Sequence, residues 1–140
     1  VGGYVIALAQ DRGWRVTGLA RAKDEEFVRG LGADFTAEAT PGWDAVADSA
    51  ALQEQGVALV RDGGVFVGVQ PGASPPEERG VTVRVVVTQP DGARLAQLLD
   101  ATANGRLPAR VHAVLPLDQV ATAHHAVAKG GVRGKYVLQP

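Results

Sequence analysis

Apolar residues along this chain follow two alternating rhythms: short unbroken runs, and stretches in which they return every three or four positions. Val5, Leu8 and Ala9, at i, i+3 and i+4, predict a helix from Tyr4 to Arg12 that stops at Gly13. Val16, Thr17 and Leu19 then form a short apolar run, as in a strand buried on both faces of a parallel sheet. A helix is expected from Asp24 to Gly32, with Phe27 and Leu31 facing inward and Asp24, Glu25 and Glu26 complementing its dipole. Ala33 to Thr36 reads as a strand, and Trp43 to Ala47 as the next, ending at Asp48 and Ser49. A helix from about Ala50 to Arg61 follows, with Leu52, Leu59 and Val60 apolar and Gly56 weakening it, and Gly63 to Val69 is again a buried strand.

From Gln70 to Gly80, three prolines interrupt the alternation. Val81, Val83, Val85 and Val87 then recur with period two, predicting a strand from Val81 to Val87. Thr88-x-x-Asp91 reads as a variant capping box, opening a helix with Leu95, Leu98, Leu99 and Thr102 on one face and Gly105 at its end. Arg110 to Leu115 is a strand, Pro116 starts a turn, Asp118 to Lys129 is a helix, and Lys135 to Leu138 is a last strand. Strands that alternate with helices in this way are what parallel crossovers require. The expected class is α/β, with a doubly wound parallel sheet.

Composition changes this picture little but excludes several partners. Apolar residues at 46% and charged residues at 21% are an ordinary soluble balance, and 140 residues can bury one domain's core. A net charge of −1 supplies no basic field for nucleic acid or an anionic membrane. No apolar run approaches the ~20 residues that span a bilayer. The absence of cysteine rules out disulfides, a thiol nucleophile and Cys-ligated zinc, and suits a cytoplasmic protein. A small-molecule partner is expected, with no nucleic acid and no membrane.

The candidate chemistry is therefore that of binding. Val1, Gly2 and Gly3 head the first helix, where backbone N–H groups and the dipole favour an anion. In a dinucleotide-binding sheet, the end of the strand after that helix meets the adenosine ribose. An acid there accepts from a free 2′-hydroxyl, whereas a basic residue accommodates a 2′-phosphate. Arg21 and Lys23 stand at that end, so the expected cofactor is NADP(H), with a solvated loop as the plain alternative. Asp48 and Ser49 end a strand where α/β sheets place ligand contacts, with helix capping as the competing role. His124 and His125 point about 100° apart on a helix, with no carboxylate at i+3 or i+4 from either. They and the distant His112 are expected to serve packing or the surface, and no metal site is expected. No catalytic acid, base or nucleophile stands in recognisable motif form.

Three stretches carry a family resemblance. Val1-Gly2-Gly3 before an apolar helix is similar to the end of a Gly-x-x-Gly-x-Val-Gly turn, with Gly2 as its last glycine. Leu31-Gly32-Ala33-Asp34 matches a Leu-Gly-Ala-Asp that joins a second helix to a third strand. Leu117-Asp-Gln-Val-Ala-x-Ala-His124, followed by Gly134-Lys135-Tyr-Val-Leu138, matches a C-terminal signature. In this order, across essentially the whole chain, they resemble the cofactor half of the medium-chain dehydrogenase/reductase superfamily, in its zinc-independent quinone-oxidoreductase-like branch.

The resemblance implies a Rossmann-type sheet lacking its first strand, residues 1–109, and a C-terminal helix–strand segment, residues 110–140, that belongs with an N-terminal catalytic domain. That domain is not in these residues, and with no methionine in the chain Val1 reads as a truncation point. The implied cofactor contacts are Val1, Gly2, Gly3, Arg21, Lys23, Ser49, Gly68 and Val69, the last two beside the nicotinamide ribose. The strand from Val81 to Val87 would pair with its twin in a homodimer. The implied function is the NADP(H)-binding portion of an oxidoreductase that transfers hydride from NADPH to a quinone or activated enone or carbonyl, inactive by itself. Two other readings stand beside it: a non-catalytic dinucleotide-binding module, and a Rossmann protein using S-adenosylmethionine. The latter is disfavoured by Arg21, where an acid would hold the ribose.

Overall fold

Every strand pairing among the described residues, 1–70 and 72–140 of this computed structural model, is parallel. Helix α1 (Gly2–Gln10) leads to strand β1 (Thr17–Leu19), and a 3-10 turn (Ala22–Asp24) runs into helix α2 (Glu25–Gly30). Strands β2 (Asp34–Thr36) and β3 (Trp43–Asp48), the short helix α3 (Glu54–Ala58) and strands β4 (Val60–Gly68) and β5 (Thr82–Val85) follow. Helix α4 (Gly92–Ala103) precedes strand β6 (Val111–Pro116), a second 3-10 turn (Leu117–Gln119), helix α5 (Val120–Lys129) and strand β7 (Lys135–Gln139). The chain forms two units, Val1–Asp100 and Ala101–Pro140.

The first unit is a Rossmann-like α/β arrangement whose parallel strands fall into two sheets, β1-β2 and β3-β4-β5. Each sheet has its own apolar cluster. Ile6, Val28 and Ala33, with Val16, Ala20, Leu31 and Phe35 packed around them, join α1 and α2 to the first sheet. Val57, Val60, Phe66 and Val81 join α3 to the second, with Val46 and Val83 against them. In α2 the buried residue is Val28, while the expected inward residues Phe27 and Leu31 are half-buried. Gly18 explains the preference: a Cβ on β1 at that position would stand 2.6 Å from Val28 Cγ1, so the missing side chain is what lets α2 seat on the strand. Beside Val16, a hollow of about 450 Å³ opens among Gln10, Trp14, Gly32 and Asp34.

Three elements differ from their expected extents. The helix expected from Ala50 to Arg61 is only Glu54–Ala58. At its start, the backbone N–H groups of Ala50 and Gln53 donate to the Asp48 carboxylate, holding the intervening residues in a loop. At its end, Val60 goes into the sheet opposite Trp43, and a bulge before Val65 absorbs Arg61, Asp62, Gly63 and Gly64. The Arg79 guanidinium ties this corner together, donating to the Val57 and Val60 carbonyls at 2.9 and 3.0 Å.

The strand expected from Val81 to Val87 is paired only over Thr82–Val85, because β4 ends at Gly68 and offers one further carbonyl, to Val86 N. Val86 and Val87 run on exposed. The start of α4 is capped by Asp91, not by a box headed by Thr88. Asp91 Oδ1 accepts from Arg94 N at 2.9 Å, which makes Asp91 the capping residue itself.

In the second unit, β6 and β7 pair in parallel, with α5 as their crossover, Ala113 opposite Tyr136 and Leu115 opposite Leu138. The final strand thus has β6 as a neighbour within the chain. His112 meets Tyr136 edge to face, with ring centroids 4.9 Å apart, and Ala123 is the buried residue of α5. Among the described residues no helix is long and apolar enough to cross a membrane.

Candidate functional site

Parallel strands deliver their carboxyl ends to one edge, and helix α1 points its start at that edge. At its far end α1 is tied to the amino end of β2, where the Gln10 side-chain amide donates to the Gly32 carbonyl. At its near end Gly2 meets Ser49, the residue just past β3. A Cβ on Gly2 would lie 2.9 Å from Ser49 Oγ, inside normal contact, so with glycine the first turn comes this close without displacing the hydroxyl. The first N–H groups of any α-helix have no acceptor one turn earlier. They and the dipole make this helix start electropositive. Val1, at the N-cap of α1, is exposed, whereas Gly3 turns toward α2 and would place a Cβ 3.2 Å from the Phe27 ring.

Asp48 ends β3 and is 4% exposed. Its Oδ1 accepts from Ala50 N and its Oδ2 from Gln53 N, both at 2.9 Å. Burial pushes its carboxyl pKa up, but the N–H groups of Gln53, Ala50, Leu52 and Ala51 outweigh burial and hold it below the ordinary aspartate value. The carboxylate is thus turned into its own backbone, and the loop it gathers carries Ala51 and Gln53 at φ of 61° and 55°, in the left-handed region. Asp48 thus neither caps α3, whose N-cap is Gln53 without a side-chain bond, nor faces outward, but holds the loop before that helix, and Ser49 is exposed beside Gly2.

In register beside Asp48 stands Gly68, the last residue of β4. Gly68 is buried, its carbonyl accepts from Val86 N, and Val69 beyond it is partly exposed. The Gln53 side-chain amide donates to Gln70 Oε1 at 3.0 Å, linking the loop after β3 to the segment after β4. Sequence reasoning did not single out Gln53 or Gln70. Seventeen residues separate them, and no local pattern marks such a pair.

Beyond β1, Arg21 Nε lies 3.4 Å from Asp24 Oδ2, with the Arg21 side chain 63% exposed and that of Asp24 12%. A guanidinium has five N–H donors, so this contact does not exhaust it. Lys23, in the 3-10 turn, is exposed. The i,i+3 spacing of Arg21 and Asp24 was the available signal for their pairing. The structure therefore brings Gly2 to Ser49 and Gly68 to Asp48, and places Arg21 and Lys23 at the end of the separate β1-β2 sheet.

Among the described residues no three His, Cys, Asp or Glu side chains gather as a metal site. His124 lines a largely apolar hollow with Val127, Tyr136 and Leu138 in the second unit, remote in kind from the polar strand ends.

Residues 22–138 match the family model described as zinc-binding dehydrogenase. Three solved structures share the fold. The quinone oxidoreductase from Coxiella burnetii aligns over 100% of this chain and 49% of its own, at TM-score 0.87 and 24% identity. An NAD-dependent alcohol dehydrogenase aligns over 96% of this chain and 46% of its own, at TM-score 0.75 and 26% identity. A mycobacterial protein complexed with NADPH aligns over 100% of this chain and 53% of its own, at TM-score 0.72 and 22% identity. The chain spans about half the length of these structures. No match was found among curated proteins.

Proposed function

We propose that this chain, which belongs to the zinc-binding dehydrogenase family, holds NADP(H) in an oxidoreductase that transfers hydride to a quinone or an activated enone or carbonyl. The observation that carries the reading is the close approach of Gly2 to Ser49, which sets a helix start against the carboxyl end of β3. That junction suits a pyrophosphate, because backbone N–H groups can reach it only where no side chain intervenes. In this reading Val1, Gly2 and Gly3 supply the backbone at the phosphates, Ser49 offers a hydroxyl beside them, and Gly68 and Val69 border the nicotinamide ribose. Arg21 and Lys23 meet the 2′-phosphate.

When bound, the cofactor supplies the hydride, and the chain's residues bind and orient it. The likeness to a protein solved with NADPH and to a quinone oxidoreductase agrees with this choice of cofactor and substrate class. The likeness to an NAD-dependent enzyme makes the 2′-phosphate the discriminating feature. Within the family we favour the quinone-oxidoreductase-like branch that works without zinc. Residues 110–140 would pack on a catalytic domain, and the open edge of β5 would meet a second copy. Titrating the chain with NADPH, NADH and S-adenosylmethionine tests the reading. NADPH should bind most tightly. Equal affinity for NADPH and NADH would remove the role of Arg21 and Lys23, and preference for S-adenosylmethionine would overturn the function.

A further inference from the structure

We infer that Asp48 is a positioning residue for the nucleotide site, acting through the loop from Ser49 to Gln53 rather than on the ligand itself. The inference rests on the NADP(H) reading above. A buried aspartate at a strand's carboxyl end would ordinarily be a candidate ribose or substrate contact. Here both carboxylate oxygens are turned into the chain: Oδ1 takes Ala50 N, Oδ2 takes Gln53 N, and the residue is 4% exposed.

What those bonds hold is a conformation the sequence would not adopt by itself. Ala51 and Gln53 both sit at positive φ, a region that residues with a Cβ rarely occupy. An anionic acceptor set among successive backbone N–H groups is the natural means of stabilising such a turn. Two consequences reach the site. The turn begins at Ser49, and so places the Ser49 backbone beside the α1 start at Gly2. It ends at Gln53, whose side chain then reaches Gln70 beyond β4. One carboxylate thereby sets the spacing between the α1 start, the end of β3 and the end of β4, the three pieces that would flank a bound dinucleotide. Because the carboxyl pKa is held below the ordinary aspartate value, the anion persists throughout the neutral and mildly acidic range.

The test compares four chains by NADPH titration and thermal melting: the parent, Asp48→Asn, the double variant Ala51→Gly with Gln53→Gly, which lacks the Gln53–Gln70 bond but keeps Asp48, and the triple variant that combines all three changes. Asparagine keeps one acceptor but loses the charge and presents an NH₂ to the second backbone N–H. NADPH affinity should fall about tenfold in Asp48→Asn, measured well below its melting temperature. Because the two glycines reach positive φ without strain, the triple variant should bind NADPH within about threefold of the double-glycine chain. A residue that only stabilises the fold would lower the melting temperature without this pattern of loss and rescue in affinity. Parent-like NADPH binding by Asp48→Asn overturns the inference. So does a folded triple variant that stays tenfold weaker than the double-glycine chain, since the carboxylate would then act otherwise than through the loop. If Asp48→Asn alone fails to fold, the triple variant carries the test by itself. A parent chain that binds neither NADPH nor NADH overturns the NADP(H) reading, and this inference with it. A parent that binds NADPH beside an indifferent Asp48→Asn overturns the inference alone.

Discussion

The ends of β1 and β3 both carry charge just past the sheet, and they use it in opposite ways. Past β1, Arg21 lies 63% exposed and touches Asp24 across a single turn at 3.4 Å. Past β3, Asp48 is nearly sealed from solvent and spends its charge on the N–H groups of its own loop. An exposed ion pair of the first kind contributes little to folding, about 0–1 kcal/mol. A buried carboxylate bonded to backbone is another matter, because removing it leaves two part-buried N–H groups without their acceptor. The first end can change its side chains with little effect on the fold, whereas the second can barely change at all. In the proposed function, selectivity and architecture are thus separated onto two strand ends.

Removing the carboxylate should produce the largest effect. Asp48→Ala leaves Ala50 N and Gln53 N without their acceptor, and at about 1–3 kcal/mol for each stranded donor we expect a loss of roughly 3 kcal/mol in urea unfolding. A loss below 0.5 kcal/mol would mean that solvent reaches the loop and that the contrast between the two ends is false.

Arg21→Ala sharpens the comparison from the other side. Charge-assisted bonds to a phosphate are worth about 1.5–3 kcal/mol. NADPH affinity should therefore fall about 10- to 150-fold while NADH affinity holds and unfolding shifts by less than about 0.5 kcal/mol. Equal losses for both cofactors would show that Arg21 supports the fold or the shared pyrophosphate and does not select the 2′-phosphate.

The junction between the two regions gives a smaller and more local effect. Gly2→Ala places a methyl 2.9 Å from Ser49 Oγ, so the helix start must retreat. Overpacking of this kind costs about 1–3 kcal/mol, and a solvent-facing serine that can rotate away puts the expected loss near the lower limit. The same substitution in a Ser49→Gly background should be close to neutral. A double-mutant cycle with no coupling would separate the helix start from β3.

The same contrast explains which parts of the molecule were legible in the sequence. Strands β1, β2, β6 and β7 announced themselves through apolar runs with Gly, Pro or charge at their ends. Arg21 and Lys23 stood out in the sequence as charge at a strand end, and both are exposed there. Helix α3 was not, since two long-range influences override its local pattern. Asp48 draws off the backbone that would have begun the helix, and Val60, apolar in either role, is taken by the sheet opposite Trp43. The capping of α4 by Asp91 differs from the expected box by only one turn, because serine, threonine and aspartate suit the same position and spacing alone does not rank them. The Gln53–Gln70 contact depends on a loop conformation that is itself imposed by Asp48, so no reading of neighbours along the chain could reach it.

The smallest expected effect is a dependence on pH, and it isolates the charge of Asp48 from its shape. Its folded carboxyl pKa lies below the ordinary value because backbone N–H groups outweigh burial. The unfolded chain therefore binds a proton at a pH where the folded chain does not. Stability from this group is fully present above the unfolded value of about 3.9 and is lost as pH falls through the lower folded value. Unfolding by urea, measured in small steps from pH 6 downward, should show a flat difference between the parent and Asp48→Asn until the ordinary aspartate range. The difference should then narrow as the parent's carboxylate is protonated. Other carboxylates titrate in both proteins and cancel in the comparison. A difference that widens on acidification would mean that the folded carboxyl sits above its ordinary value, with burial prevailing over the backbone bonds. The loop from Ser49 to Gln53 would then be held by the neutral acid, and the charge could not be what organises it.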